Sequence, residues 1–210
     1  MAPVTKTSSR LLVGAALAIV PLLGLAGVAS ADTQAVNYTC QGKAAGQTSN
    51  LTLQQNVDST APATVAPGGA LTITLAPGVN TVPTAAGSFT VKSVKNMTLS
   101  VPVPANATVN SFSLSGGSGI GSATVAQVGN NIVTSVTGPI NGGAQFQLPA
   151  LTLNLTAGES GSITTTLAGT SLSDPGLKFT TTVSVFGFPI DAPTVCYPNP
   201  APTLTTTTIG

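Results

Sequence analysis

Side chains that could carry out catalysis are scarce in this sequence. Its 210 residues include no His and no Trp, and only 5% of them are charged. A Ser nucleophile needs a neighbouring base, but no Ser-x-x-Lys spacing places a lysine beside a hydroxyl. Glycoside hydrolysis needs two carboxylates that face one sugar. The acids after residue 31 are widely separated: Asp32, Asp58, Glu159, Asp174 and Asp191. We therefore expect no enzymatic activity and no catalytic residues.

Metal and cofactor sites also lack their usual residues. Structural zinc needs clustered Cys and His, and calcium needs several convergent oxygens. The glycine-rich segments 116–121 and 142–143 lack the Lys-Ser/Thr ending of a phosphate-binding loop. From residue 32 onward, four lysines face five acids without any Arg, so the sequence predicts no electrostatic footprint for nucleic acid or anionic lipid. We expect no metal, no cofactor and no nucleic-acid partner.

Cys40 and Cys196 are the two cysteines of the chain. In an exported protein, two lone cysteines are most simply one disulfide bond. The bond would close a loop of about 157 residues and stabilise the fold by roughly 5 kcal/mol in the chain-entropy description. A redox or metal-binding pair would need C-x-x-C spacing or nearby His, which the sequence does not supply. We predict that the first and last strands lie near one another and are joined by this bond.

The N-terminus has the pattern of a secretory signal peptide over residues 1–31. Lys6 and Arg10 precede an apolar run from Leu11 to Val28, and Ala29-Ser30-Ala31 offers small residues for cleavage between Ala31 and Asp32. A membrane anchor is the alternative, since a run of about 18 apolar residues is the lower limit for spanning. No second apolar run of that length follows. We therefore expect no transmembrane helix after removal of the signal helix.

The positions that follow predict an all-β fold. Runs such as Leu71–Leu75 alternate apolar and polar residues, which is typical of strands with one buried face. Gly129-Asn130-Asn131 predicts a tight hairpin, and segments 151–156 and 162–167 are predicted to form another. About ten short strands at this spacing indicate a sandwich or a barrel. We expect one β-sandwich domain over residues 32–197 and an extended or disordered Pro/Thr-rich tail over residues 198–210.

The sequence around the two cysteines resembles that of known proteins. Tyr38 and Cys40 follow the signal closely, Val195-Cys196-Tyr197-Pro198 lies near the end, and the chain between them is rich in Thr, Val, Pro and Gly. In these features the sequence resembles small exported, disulfide-framed β-sandwich proteins of high-GC Gram-positive bacteria. The resemblance implies an immunoglobulin-like sandwich of antiparallel strands and brings no catalytic residues with it.

Together these observations predict an exported, non-enzymatic protein of the cell envelope or the extracellular space with a structural, adhesive or binding role. Cell-wall proteins, other surface proteins and further copies of the chain are the expected partners. An envelope-embedded, pore-forming β-barrel is one alternative, because long Val/Leu/Thr strands and low charge would suit it. A carrier with an apolar pocket for a small ligand is another.

Overall fold

Residues 29–210 are the part of the chain that the computed structural model describes. They form 17 strands and no helix. The predicted signal helix lies outside these residues, except that Ala29–Ala31 begin the first strand. The strands are β1 (Ala29–Ala44), β2 (Gln47–Pro62), β3 (Thr64–Val65), β4 (Ala70–Pro77), β5 (Asn80–Thr81), β6 (Ala85–Ala86), β7 (Phe89–Pro102), β8 (Ala107–Ser115), β9 (Ala123–Val128), β10 (Asn131–Val136), β11 (Ile140–Asn141), β12 (Gln145–Phe146), β13 (Ala150–Ala157), β14 (Gly161–Thr166), β15 (Leu177–Val185), β16 (Phe188–Pro198) and β17 (Thr203–Ile209).

Ten of these strands form one antiparallel path. Their order is β8-β13-β4-β2-β1-β16-β15-β7-β10-β9, with β6 and β11 also paired to β7. The path begins and ends with β8 and β9, which are consecutive in the chain and approach each other without forming a ladder. The sheet is therefore nearly closed and barrel-like. The all-β class and the antiparallel pairing are confirmed, whereas an immunoglobulin-like sandwich stays a prediction.

Alternation of side chains explains how this sheet encloses a core. In β13, Leu151, Leu153 and Leu155 are buried, while Thr152 and Asn154 between them are half-buried on the other face. The same period of two recurs in β4, β10 and β15. The fully buried centre is built mainly from branched aliphatic residues: Val36, Ile73, Ile132, Leu153, Leu155 and Ile163. These residues suit a pleated, half-buried surface, which explains why so few aromatic residues are needed.

The C-terminal segment, which the sequence predicted to be an extended or disordered tail, contains a strand. Residues 203–209 form β17, which pairs with β14 on one side and with β3 on the other. Leu204 and Ile209 are buried, and the buried Thr207 donates a hydrogen bond to the Pro62 carbonyl. The β-branched threonines fit a strand well, and alternate positions along it face the core. The segment is extended, as predicted, but it is a paired strand of the fold.

The hairpins test the predicted turns. β9 and β10 form the predicted hairpin, with Gly129-Asn130 as its turn and Asn131 already paired with Val128. The predicted hairpin between segments 151–156 and 162–167 is wrong, because β13 pairs with β4 and β8 while β14 pairs with β17. Both edges of β13 are therefore occupied. The connection between β13 and β14 is held elsewhere, since Gly158 N–H donates to the Asn106 carbonyl at 2.7 Å.

Candidate functional site

A cavity of about 630 Å³ lies on the inner side of the sheet where β1, β2, β7, β15 and β16 curl around it. Inward-facing positions of these strands supply the wall through the period-two alternation described above. Phe146 and Phe89 add aromatic surface from β12 and from the start of β7. Most of the lining is apolar: Leu51, Leu53, Phe89, Val91, Val94, Met97, Phe146, Phe179 and Val183.

The polar groups in the wall are neutral. None of the described residues that line the cavity carries a charge. Thr181 and Thr194 are buried, and their hydroxyl oxygens lie 3.3 Å apart. Because Thr194 donates to the Ala192 carbonyl at 3.1 Å, the Thr181 hydroxyl is the donor between the two. The hydroxyl protons of Thr181 and Thr194 are thus both donated within the wall.

Tyr38 brings a phenol to the same wall. Its side chain is buried, and this burial raises the pKa of the Tyr38 hydroxyl far above its ordinary value. Desolvation disfavours the charged form of a buried group, so the phenol stays neutral throughout the physiological range. The cavity can therefore offer hydrogen bonds from neutral groups, but it provides no base, nucleophile or counter-charge.

The opening of the cavity lies between β2 and the segment 80–87. β2 pairs with β4 only over Val57–Thr60, which leaves its first ten residues without a strand on that side. The exposed lining residues all belong to β2 or to segment 80–87: Gln47, Thr52, Gln54, Thr81, Pro83, Ala85 and Gly87. This distribution identifies the gap between the two segments as the opening of the cavity to solvent.

Two contacts frame the opening. At one end, Asn80 Nδ2 donates to the Gln54 carbonyl at 2.8 Å and to Gln55 Oε1 at 3.2 Å. At the other end, Gly87 has φ of +61°, and a Cβ atom built there would lie 3.3 Å from Ser49 Oγ. A left-handed glycine is therefore what allows the β6–β7 turn to approach β2. The opening extends along β2 between these two positions, from Gln54 to Ser49.

The residues predicted from the sequence lie outside the lining of this cavity. Cys40 on β1 and Cys196 on β16 are fully buried and joined by the predicted disulfide bond, with an S–S distance of 2.01 Å. Ala31 and Asp32 lie near the other end of β1, where Asp32 pairs with Ser59. Cleavage between them stays a prediction. Residues 29–210 contain no cluster of three His, Cys, Asp or Glu side chains suited to a metal ion.

The cavity residues were not identified from the sequence. Each lining strand shows ordinary alternation, which indicates a buried face but not whether that face is filled. One local signal was available for a segment outside the cavity lining, in the sequence Val185-Phe186-Gly187-Phe188. A two-residue hairpin turn favours Asn, Asp or Gly at the position that Phe186 occupies, and an aromatic residue there indicates a role other than turn formation.

A second concave region does not offer comparable chemistry. The connection between β8 and β9 and neighbouring segments line a cleft of about 680 Å³, with Gly116, Gly117, Gly119 and Gly121 in its wall. Glycines present backbone but no side chains that could distinguish one ligand from another. The apolar cavity is therefore the candidate functional site.

Comparisons with known proteins find similarity in the fold but not in the sequence. No protein-family model matches the sequence, and no curated protein matches it. A crystal structure of a protein from Corynebacterium diphtheriae that is described as membrane anchored has a similar fold, with a TM-score of 0.50 and 16% identity. The likeness covers 85% of this chain and 38% of that one. In the described residues, no helix has the length and apolar character needed to cross a membrane.

Proposed function

We propose that this chain is an exported, non-enzymatic protein of the cell envelope that binds a small apolar ligand in the cavity between β2 and β15. The observation that carries the proposal is an uncharged, largely apolar cavity of about 630 Å³ with a defined opening. Ligand cavities typically measure about 300–1,000 Å³ and combine an apolar wall with a few polar groups. This wall has that composition.

The size of the cavity argues that something other than the protein fills it. The cavity opens to solvent between β2 and segment 80–87, so without a ligand its wall is in contact with water. Water is a poor occupant, because it needs about three hydrogen-bond partners and the wall is mostly aliphatic and aromatic. An apolar ligand would remove this apolar surface from water.

The absence of charge defines the class of ligand. A carboxylate or phosphate placed in the interior would face no lysine, and burying an unpaired charge is expensive. The buried part of the ligand is therefore a hydrocarbon chain or a neutral ring system. A polar head, where present, would stay at the opening beside Gln54 and Asn80, whose amides lie on its rim.

Three observations support a location in the envelope or outside the cell. The N-terminal sequence has the pattern of an export signal. The Cys40–Cys196 disulfide bond requires an oxidising compartment to persist. A similar fold occurs in a protein described as membrane anchored. The structural or adhesive role that the sequence favoured rests on composition, whereas ligand binding rests on a specific cavity.

The pore-forming alternative has less support. Membrane-spanning barrels carry apolar residues outward and polar residues inward. In this sheet the direction is reversed, since Leu153 and Ile132 are buried inside while Asn154 and Thr152 are on the other face. The interior is filled by aliphatic side chains over much of its length. This arrangement suits a protein with an apolar interior and a wetted outer surface.

Titration with the fluorescent apolar probe N-phenyl-1-naphthylamine tests the proposal. The chain contains no Trp, so the probe emission has little protein background. We expect saturable binding to a single site, and a loss of at least about tenfold when Ala44→Leu and Ala192→Leu fill the cavity. Both residues are buried in its wall. Ala126→Leu, on the exposed outer surface of β9, is the matched control and should bind as wild type.

The same titration can refute ligand binding. If the probe fails to bind, or if the two cavity-filling variants bind it as tightly as wild type, the cavity is not the site. Mass spectrometry of the native protein from its host provides the natural ligand. A co-purified apolar molecule that is lost in the Ala44→Leu/Ala192→Leu variant would support the proposal.

A further inference from the structure

Three hairpin turns lie together at one end of the sheet. β1 and β2 are joined by Ala45-Gly46, β6 and β7 by Gly87-Ser88, and β15 and β16 by Phe186-Gly187. Register places them at the same end, because Thr90 pairs with Ser184 and Gly42 pairs with Thr194. We call this region the hairpin end. It lies beside the opening of the cavity, since Gly87 contributes to both.

Two phenylalanines are exposed at the hairpin end. Phe186 is 98% exposed and Phe188 is 70% exposed, although burying an aromatic ring normally contributes a large part of core stability. Phe188 lies opposite Val185, and by alternation it shares the inner face of β16 with Ala192 and Thr194 of the cavity wall. Phe188 thus extends the row of cavity-lining side chains of β16 beyond the rim of the cavity.

The fold gives no reason for Phe at position 186. The residue has φ of +50° and is followed by Gly187 at +86°, which are the left-handed values of a type I′ hairpin turn. Asn or Gly adopts this conformation readily, whereas a bulky residue there is an outlier. The unfavourable backbone is not offset by packing, because the ring is almost fully exposed. Unfavourable local conformation without compensation points to a function of the ring.

Charge is distributed unequally along the sheet. The residues Cys40, Cys196, Leu177 and Leu99 form a row across four neighbouring strands. Residues 29–210 contain four lysines, Lys43, Lys92, Lys95 and Lys178, and all of them lie on the side of this row that faces the hairpin end, together with Asp191. The other four acids, Asp32, Asp58, Glu159 and Asp174, lie on the opposite side. Within the described residues the formal net charge is thus +3 toward the hairpin end and −4 away from it, a separation that the nearly neutral total in the sequence did not predict.

Two of these lysines are exposed close to the turns of the hairpin end. Lys43 and Lys92 lie within four residues of the β1–β2 and β6–β7 turns. Lys95 differs, because its Nζ atom is 2.8 Å from Asp191 Oδ2. Exposed apolar rings and exposed cations at one end of the sheet match a surface that is apolar inside and negative at its boundary. Anionic lipid layers have this composition, and basic residues near one contribute about 1 kcal/mol each.

We propose that the hairpin end docks on a lipid layer with anionic headgroups, with Phe186 and Phe188 entering the interface and Lys43 and Lys92 contacting the headgroups. This docking goes beyond ligand binding and does not require an occupied cavity, so each can be refuted separately. It would hold the cavity opening next to the layer from which an apolar ligand could pass into the interior.

Flotation of the mature protein with vesicles tests the docking. We expect binding to vesicles of phosphatidylcholine mixed with phosphatidylglycerol, and much weaker binding to phosphatidylcholine alone or in high salt. Phe186→Asn/Phe188→Thr should lower the partition coefficient at least about tenfold, since burying one Phe contributes about 1.5–3 kcal/mol. Lys43→Gln/Lys92→Gln should lower it about thirtyfold, from about 1 kcal/mol for each lysine.

Matched controls come from the same chain. Val128→Ser removes another exposed apolar residue, 61% exposed, at the β9–β10 turn at the opposite end. Lys178→Gln removes an exposed lysine that lies eight residues before Phe186, about 26 Å along the strand. Both controls should bind vesicles as wild type. The Phe186→Asn/Phe188→Thr variant should fold normally, because both rings are exposed and Asn suits the left-handed turn better.

The docking proposal is overturned if wild type binds neither vesicle, or if the control variants lose as much binding as the hairpin-end variants. It is also overturned if the lysine variant binds the anionic vesicles like wild type. The Phe186→Asn/Phe188→Thr variant should still bind N-phenyl-1-naphthylamine, whereas Ala44→Leu/Ala192→Leu should still bind vesicles. These two measurements distinguish failure of docking from failure of ligand binding.

Discussion

Cys40 and Cys196 lie directly opposite each other on the neighbouring antiparallel strands β1 and β16, with 4.1 Å between their Cα atoms. The bond joins positions that are 156 residues apart in the chain. It crosses the middle of the sheet, between Tyr38 and Gly42 of the cavity wall on β1. A covalent link here fixes the register of the two strands that form the back of the cavity.

Removing this bond should lower stability substantially. The double variant Cys40→Ala/Cys196→Ala releases a loop of about 157 residues, for which chain entropy gives up to about 5 kcal/mol. Urea unfolding with and without a reducing agent measures the effect. Wild type should lose stability on reduction, while the double variant should be insensitive to the reductant. Equal midpoints for oxidised and reduced wild type would contradict this account.

The Thr181–Thr194 pair predicts a non-additive effect on stability. Thr194→Val removes the acceptor of the buried Thr181 hydroxyl, and leaving a buried polar group unpaired costs about 1–3 kcal/mol. Replacing both by Val removes donor and acceptor together, so the double variant should be no less stable than Thr194→Val. A double-mutant cycle of urea unfolding energies measures the coupling. Simple additivity would show that the hydroxyls do not depend on each other.

Tyr38 predicts a decrease of stability at high pH. Burial raises its pKa in the folded state above the ordinary value of 10.0, so the unfolded chain releases its proton first as the pH rises. The folded state then binds more protons than the unfolded state, and stability falls with pH above about 10, by up to about 1.4 kcal/mol per pH unit. Urea unfolding above and below this pH should show the slope in wild type and a smaller slope in Tyr38→Phe. If wild type and Tyr38→Phe lose stability equally with rising pH, groups other than Tyr38 cause the loss.

Asp191 should make the stability of the fold decrease at low pH. The hydrogen bond from Lys95 lowers the pKa of Asp191, and a second hydrogen bond from Thr182 at 2.7 Å lowers it further. The stabilising contribution is therefore present at neutral pH and is lost as the pH falls through the lowered value. Lys95→Met should raise the pKa of Asp191 toward its ordinary value, and Thr182→Val should raise it less. Carboxyl chemical shifts in an NMR titration measure both, and an unchanged pKa in Lys95→Met would refute the assignment.

Shortening one buried side chain of the C-terminal strand should lower the free energy of unfolding. Leu204 is buried on β17, and its carbonyl accepts a hydrogen bond at 2.8 Å from the buried Ser59 hydroxyl. Leu204→Ala should lower the free energy of unfolding by about 2–4 kcal/mol. Thr206→Ala, at an exposed position of the same strand, should change it by less than about 0.5 kcal/mol. Equal small effects would indicate that β17 contributes little to stability.

The sequence by itself determined the class of the fold and the identity of its covalent link. Period-two alternation in segments such as 71–75 and 151–155 depends only on neighbouring residues, because side chains of a strand point to alternate faces. The tight turn at Gly129-Asn130 is likewise a local property of residues that tolerate left-handed backbone. Two cysteines leave one possible pairing within the chain, and the structure contains it.

Only the tertiary structure decided which strands meet, and therefore whether a buried face is filled. β13 and β14 are adjacent in sequence but pair with different partners, because the edges of β13 are occupied by β4 and β8. Leu153 and Phe179 show the same alternation, yet one is fully buried in the core and the other borders an open cavity. The charge separation has the same origin, since it depends on strand direction. Alternation specifies the face of a strand, whereas distance to the opposite wall depends on how the whole sheet curls.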